Sequence, residues 1–144
     1  MKSLIAAAVL GWVATVAQAQ MVPTGLWRTI DDETKQPKAL VRISESGGVV
    51  TGKIEKLFDA AKQDSVCDLC TDDRKNQKVV GLTIIRNVKQ DSDDKGLWGG
   101  GEILDAAKGK TYKTRLKPVE GGKKMEVRGY IGFFYRTQVW ERVE

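Results

Sequence analysis

The chain has 144 residues, with 24 lysines and arginines against 19 aspartates and glutamates, no histidine, and a formal net charge of +5. Without histidine, Ser-His and Cys-His mechanisms are excluded, and the commonest zinc ligand sets cannot be assembled. The basic residues are spread along the chain rather than gathered in a block, which reads as a basic surface and not as a nucleic-acid-binding tract.

The chain opens with Lys2, an apolar run "LIAAAVLGWVATVA" and the ending Ala17-Gln18-Ala19. A charged start, an apolar middle and an A-x-A ending describe a secretory signal peptide over residues 1–19, cut after Ala19. The run is short of the about 20 apolar residues that a membrane-spanning helix needs. Residues 20–144 then suit one domain with a single modest core, expected to be exported and so away from most cellular nucleic acid.

From Gly25 onward, short β-rich runs alternate with glycine or aspartate turns. Strands are expected at "GLWRTI" (25–30), "KALVRISE" (38–45), "VVTGKIEKL" (49–57), "KVVGLTIIRNV" (78–88), "GGEILD" (100–105), "KTYKTRLKP" (110–118), "KMEVRGY" (124–130) and "FFYRTQVWERV" (133–143). Period-two alternation gives several of them one dry and one wet side. Ala39, Val41 and Ile43 share a face, Tyr112, Thr114 and Leu116 another, and Met125 and Val127 a third, each opposed by charged residues. "SGG" (46–48), "DAAKG" (105–109) and "EGGK" (120–123) supply hairpin turns, and short links of this kind join neighbours antiparallel. Only 58–77 is long; it carries "CDLC" and a helical turn is expected at "LFDAAKQ". Eight such strands can close into an up-and-down barrel, which removes exposed edges, or split into a two-sheet sandwich. The expected fold is all-β, an eight-stranded antiparallel up-and-down barrel with one long loop carrying a CxxC.

"GLWRTIDDETKQPKALVRI", "GGGEILDAAKGKTYKTRLK" and "VRGYIGFFYRTQVWERV" resemble, in order and over nearly all of residues 20–144, an exported bacterial family known as domain of unknown function 2147. The resemblance implies a lipocalin-like barrel and a periplasmic setting; it carries no catalytic residues. Gly25-Leu26-Trp27 is similar to the Gly-x-Trp that opens the first strand of lipocalins and fatty-acid-binding proteins. Gln138-Val139-Trp140 stands where the latter carry an inward Arg-x-Tyr that holds a carboxylate. A neutral amide donates a hydrogen bond but neutralises no anion, so Arg136 is the candidate anion contact here.

Cys67 and Cys70 are the only cysteines. A closed zinc site needs four ligands, and a thioredoxin-type CxxC sits beside a βαβ unit that is missing here. A local disulfide stiffening the long connection is the reading that fits an oxidising compartment. "DSDDKGLWGGGE" places Asp91, Asp93, Gly96 and Glu102 at calcium-loop spacings, but Lys95 stands where an oxygen ligand belongs, so a turn is expected and no metal. Asp31, Asp32 and Glu33 read as solvated turn formers. Lys113, Arg115, Lys117, Lys124 and Arg128 lie on outward faces, where they read as ordinary protection against edge pairing in preference to a basic ridge for lipid headgroups or polyanions.

The expected function is a non-enzymatic barrel, without cofactor, that binds a small apolar or amphipathic molecule. Candidate lining residues are Trp27, Ile43, Ile54, Tyr112, Leu116, Met125, Val127, Gln138 and Trp140. The alternatives are an envelope interaction module with a filled barrel, in weak contact with anionic surfaces, and a CxxC thiol-disulfide enzyme. The mature protein should begin at Gln20 and fractionate as soluble periplasmic material on N-terminal sequencing of cell fractions; full-length protein in the inner membrane contradicts this.

Overall fold

Strands with one apolar face must bury it, and here they do so by curling into a closed barrel. The computed structural model describes residues 21–144 and, ahead of them, Ser3, Ala8, Gly11 and Trp12 alone; the rest of the apolar run and the Ala17–Gln20 cleavage segment lie outside the described residues. The strands are β1 (Gly25–Ile30), β2 (Pro37–Ser46), β3 (Val49–Leu57), β4 (Thr83–Gln90), β5 (Trp98–Asp105), β6 (Lys110–Val119), β7 (Lys124–Ile131) and β8 (Phe134–Arg142). They follow one another around the barrel in chain order, with every neighbouring pair antiparallel and β8 returning to β1. The sandwich alternative is thereby excluded.

Directly paired residues share a face of the sheet, so the registers sort the side chains. Trp27 faces Val41, and Val41 faces Ile54. Leu116 faces Val127, Met125 faces Trp140 and Val127 faces Gln138. These chains of pairs run around the interior, as the alternation predicts. Turns form where glycine permits a positive φ: Gly47 and Gly48 sit at 57° and 80° in the β2–β3 hairpin.

β4 departs from expectation in two ways. The run at 78–88 becomes strand only from Thr83, because Gly81 turns the chain at φ 95° and Val79 and Leu82 are buried in the long connection. Lys78 makes an isolated bridge to Val66 within that connection. In β4, Ile85 and Val88 are both fully buried although three residues apart. Asn87, at φ 59°, accounts for this: the register against β3 shifts there, and the extra residue returns Val88 to the inner face. The expected helical turn is a 3-10 turn at Ala60–Lys62, capped by Asp59 accepting from the Ala61 amide.

The barrel has two unlike ends. One carries residues 21–24 and the β2–β3, β4–β5 and β6–β7 turns; the other carries the β1–β2, β3–β4, β5–β6 and β7–β8 connections. Ile54, 6% exposed, lies between them among Val41 and its neighbours on the inner face. Ile54→Ala should cost about 2–5 kcal/mol in equilibrium denaturation, through lost transfer energy and a cavity. A loss below about 0.5 kcal/mol, the range of exposed substitutions, would place that side chain outside the core.

Candidate functional site at the barrel mouth

The end that carries residues 21–24 is plugged. The Trp27 indole N–H donates to the Pro23 carbonyl at 2.7 Å. The Arg142 guanidinium lies 4.3 Å from the Trp27 ring centroid and donates to the carbonyls of Val22 (2.6 Å), Thr24 (2.7 Å) and Gly122 (2.5 Å). Burial pulls its pKa downward from the ordinary arginine value. Four partners, three of them carbonyl oxygens, compensate a partly buried charge that would otherwise be costly.

Above the plug the lumen is filled. Trp27, Ile43, Ile54, Leu116, Met125, Val127 and Trp140, seven of the residues expected to line a cavity, are between 0 and 6% exposed. Residues with so little solvent-accessible surface leave no room for water among them, and they pack on one another as a core. Gly52 belongs to this fit: a Cβ there would stand 3.0 Å from Ile85 Cδ1. Two shallow concavities lie elsewhere. One of about 580 Å³ involves Asn87, Lys89, Gly99 and Arg115 beside the β4–β5 turn, and one of about 430 Å³ lies over Arg42, Lys53 and Glu55 on β2 and β3.

Toward the opposite end the packing loosens and becomes polar. Tyr112 and Gln138, the remaining two lining residues, are half-buried. Tyr112 packs beside Gly129, where a Cβ would stand 3.4 Å from its own. The Trp140 indole N–H donates to Gln138 Oε1 at 3.1 Å, and Gln138 Nε2 donates to Asp32 Oδ2 at 3.1 Å. Arg136 Nη2 meets the same Asp32 oxygen at 2.7 Å. Indole, amide, carboxylate and guanidinium thus form one chain from the filled lumen to the surface. The amide orientation is fixed at both ends, since one partner only donates and the other only accepts. Asp32 is therefore more than the solvated turn former expected from its neighbours: closure of β8 on β1 brings the β1–β2 loop over the mouth. Arg136 is exposed and already paired. Among the described residues no buried side-chain nitrogen or oxygen lacks a partner.

Cys67 and Cys70 form a disulfide with a Cα–Cα distance of 5.4 Å. Their loop starts at the mouth rim, where Cys67 Sγ lies 3.6 Å from the Ala106 carbonyl and a Cβ on Gly109 would collide with the Leu69 and Cys70 backbone. It then runs down the outside of β4 and β5. Arg74, 2% exposed, pairs with Asp72 at 2.6 Å and Glu102 at 3.6 Å and donates to the Thr83 carbonyl at 2.9 Å, while Arg86 pairs with Asp73 at 2.9 Å. The Arg74 guanidinium holds the Asp72 carboxyl down to about 2. A carboxyl lowered by folding adds stability above its ordinary range and loses it as pH falls toward that value. Glu102 is thus an outer-wall partner of Arg74, and Asp91 accepts from the Asp93 and Asp94 amides in its own turn. Both sulfurs belong to buried residues, which shields them from an attacking thiolate. Cys67→Ser with Cys70→Ser should lower stability by about 2 kcal/mol, the chain-entropy value for a very short loop, and wild type should not accelerate insulin reduction by dithiothreitol over the double variant. Cysteine-dependent acceleration would identify a redox catalyst.

Among curated proteins the chain has no significant match. Among solved structures it is similar to protein HP1028 from the human pathogen Helicobacter pylori, described as belonging to the lipocalin family. The two share 19% identity with a TM-score of 0.71, over 84% of this chain and 82% of that one. Identity this low speaks to the fold, a lipocalin-like barrel. A family model described as "Uncharacterized protein conserved in bacteria (DUF2147)" matches residues 25–142, which takes in every strand from β1 to β8, and the chain belongs to that family.

Proposed function

We propose that the protein is an exported, non-enzymatic binding barrel that holds a small amphipathic anion at its mouth rather than deep in its lumen. The observation that carries this reading is the Trp140–Gln138–Asp32–Arg136 chain at the half-buried end. Ligand sites join apolar walls to a few oriented polar groups, and Tyr112 with the Gln138 amide supplies both. An anionic head would take the place of Asp32 on Arg136 and accept from Gln138 Nε2, with its tail against Tyr112. The filled lumen limits how far such a tail can enter. The lipocalin-like fold supports ligand binding in general, and the absence of histidine speaks against common hydrolytic mechanisms.

A second reading, a filled barrel acting as an interaction module, is favoured by the burial of the seven lumen residues. Isothermal titration with decanoate and native mass spectrometry of protein purified from its host separate the two. Binding should weaken about tenfold or more in Arg136→Gln, the size of one charge-assisted hydrogen bond, and strengthen in Asp32→Asn, which removes the competing carboxylate. No co-purified mass and no heat with wild type or either variant would leave the interaction module as the function.

A further inference from the structure

The β7–β8 hairpin ends in "YIGFFYR" (130–136). At its tip Ile131 is 56% exposed, Phe133 101%, Phe134 82% and Tyr135 61%. Isolated exposed hydrophobics are ordinary, but a contiguous aliphatic and aromatic tip on a small protein marks an interaction site. The hairpin has no need of these side chains for its own fold, since the backbone ladder from Lys124↔Glu141 to Ile131↔Phe134 runs the length of both strands.

The wall leading to the tip is cationic. Arg115 and Arg128 are direct cross-strand partners on the outer face, and Lys113 pairs with Tyr130 beside them. Like charges placed directly opposite destabilise a sheet pair. The pair is tolerated because both guanidinium groups lie near aromatic faces, Arg115 5.9 Å and Arg128 6.0 Å from the Tyr130 centroid, with Arg128 also 4.3 Å from Tyr135. No carboxylate pairs with Lys113, Arg115 or Arg128 among the described residues. Of the acidic residues nearest in the fold, Glu102 stands opposite Lys113 but is drawn to Arg74, Asp91 near Arg115 accepts from the Asp93 and Asp94 amides, and Glu126 beside Arg128 makes no ion pair among the described residues.

We infer that the β7–β8 tip is a membrane-contact element. Ile131, Phe133 and Phe134 enter the interfacial zone of an anionic phospholipid bilayer, while Lys113, Arg115 and Arg128 take lipid phosphates. Charge complementarity selects this occupant: a second copy would set one cationic wall against another. Area also favours lipid. A two-stranded tip offers far less surface than the roughly 1,200–2,000 Å² of a stable protein interface, whereas a few aromatic side chains and cations suffice for reversible binding to an anionic bilayer. The inference does not depend on the mouth holding a ligand.

Sedimentation with vesicles of phosphatidylcholine alone, and of phosphatidylcholine mixed with phosphatidylglycerol, tests it. The protein should bind the mixed vesicles and not the neutral ones, and added salt should release it. Phe133→Ser with Phe134→Ser should reduce the partition coefficient at least about tenfold, and Lys113→Gln with Arg115→Gln about fivefold for each charge removed. All four side chains are exposed, so the variants should keep the wild-type far-ultraviolet circular dichroism. A Phe133→Trp variant should shift its emission to the blue on mixed vesicles. Equal binding to neutral vesicles, unchanged binding by the phenylalanine double variant, or self-association that the same double variant abolishes would each overturn the inference, the last in favour of a second copy as occupant.

Discussion

The barrel closes along a short β1–β8 seam that the partly buried Arg142 guanidinium reinforces. β1 and β8 share only two paired residues on each side, Trp27 with Arg142 and Arg28 with Glu141, extended by hydrogen bonds between the Leu26 backbone and Val143 and Glu144. So short a ladder would leave two strand edges prone to separate. Arg142 reinforces it from the inside, stacking on Trp27 and tying β8 to the N-terminal approach and to the β6–β7 turn through three carbonyls. The cost of burying the charge is offset because its donors find acceptors and its face finds a ring. Everything at the mouth depends on this closure, since it alone brings Asp32, which follows β1, against Arg136 and Gln138 of β8.

An eight-stranded barrel has an interior just wide enough for side chains to fill or for one small ligand to occupy. Trp27 and Trp140, set among Ile43, Ile85, Leu116 and Met125, take the first course. Filling the lumen stabilises a chain of modest size, for which buried apolar area is scarce. It also moves any recognition outward, to the half-buried mouth and to the surface of the β6–β8 wall. The two are chemically different: the mouth is a connected polar chain on an apolar floor, and the wall is cationic with an aromatic tip.

The long connection solves another problem. β4 reads "TIIRNVKQ", with adjacent Ile84 and Ile85 both buried, and a strand can hide adjacent apolar residues only if both of its faces are covered. The lumen covers Ile85. The CxxC loop lies over the outer face, bringing Cys67, Cys70, Val79 and Leu82 into the same apolar cluster as Ile84 and Leu104. Arg74, almost wholly buried, anchors this cover through Asp72, Glu102 and the Thr83 carbonyl. The disulfide therefore stiffens a buttress on the barrel wall as well as a segment of its rim.

Much of this was legible before any coordinates. Period-two alternation assigns sides to residues within a strand, and glycine and aspartate turns assign neighbours, so the strand order and the inward set of Val41, Ile43, Leu116, Met125 and Val127 follow from the chain. The CxxC spacing in a chain without histidine likewise favours a staple. Alternation, however, carries no information about how far the sheet curls or which side chains meet across its seam. Asp32 and Gln138 are 106 positions apart, and their contact exists only because the two outermost strands pair. The same holds for Trp27 and Arg142, for the bulge that turns both Ile85 and Val88 inward, and for the packing that fills the lumen. Local pattern determined the faces of the strands; closure, a property of all eight together, decided what those faces enclose and what they leave exposed.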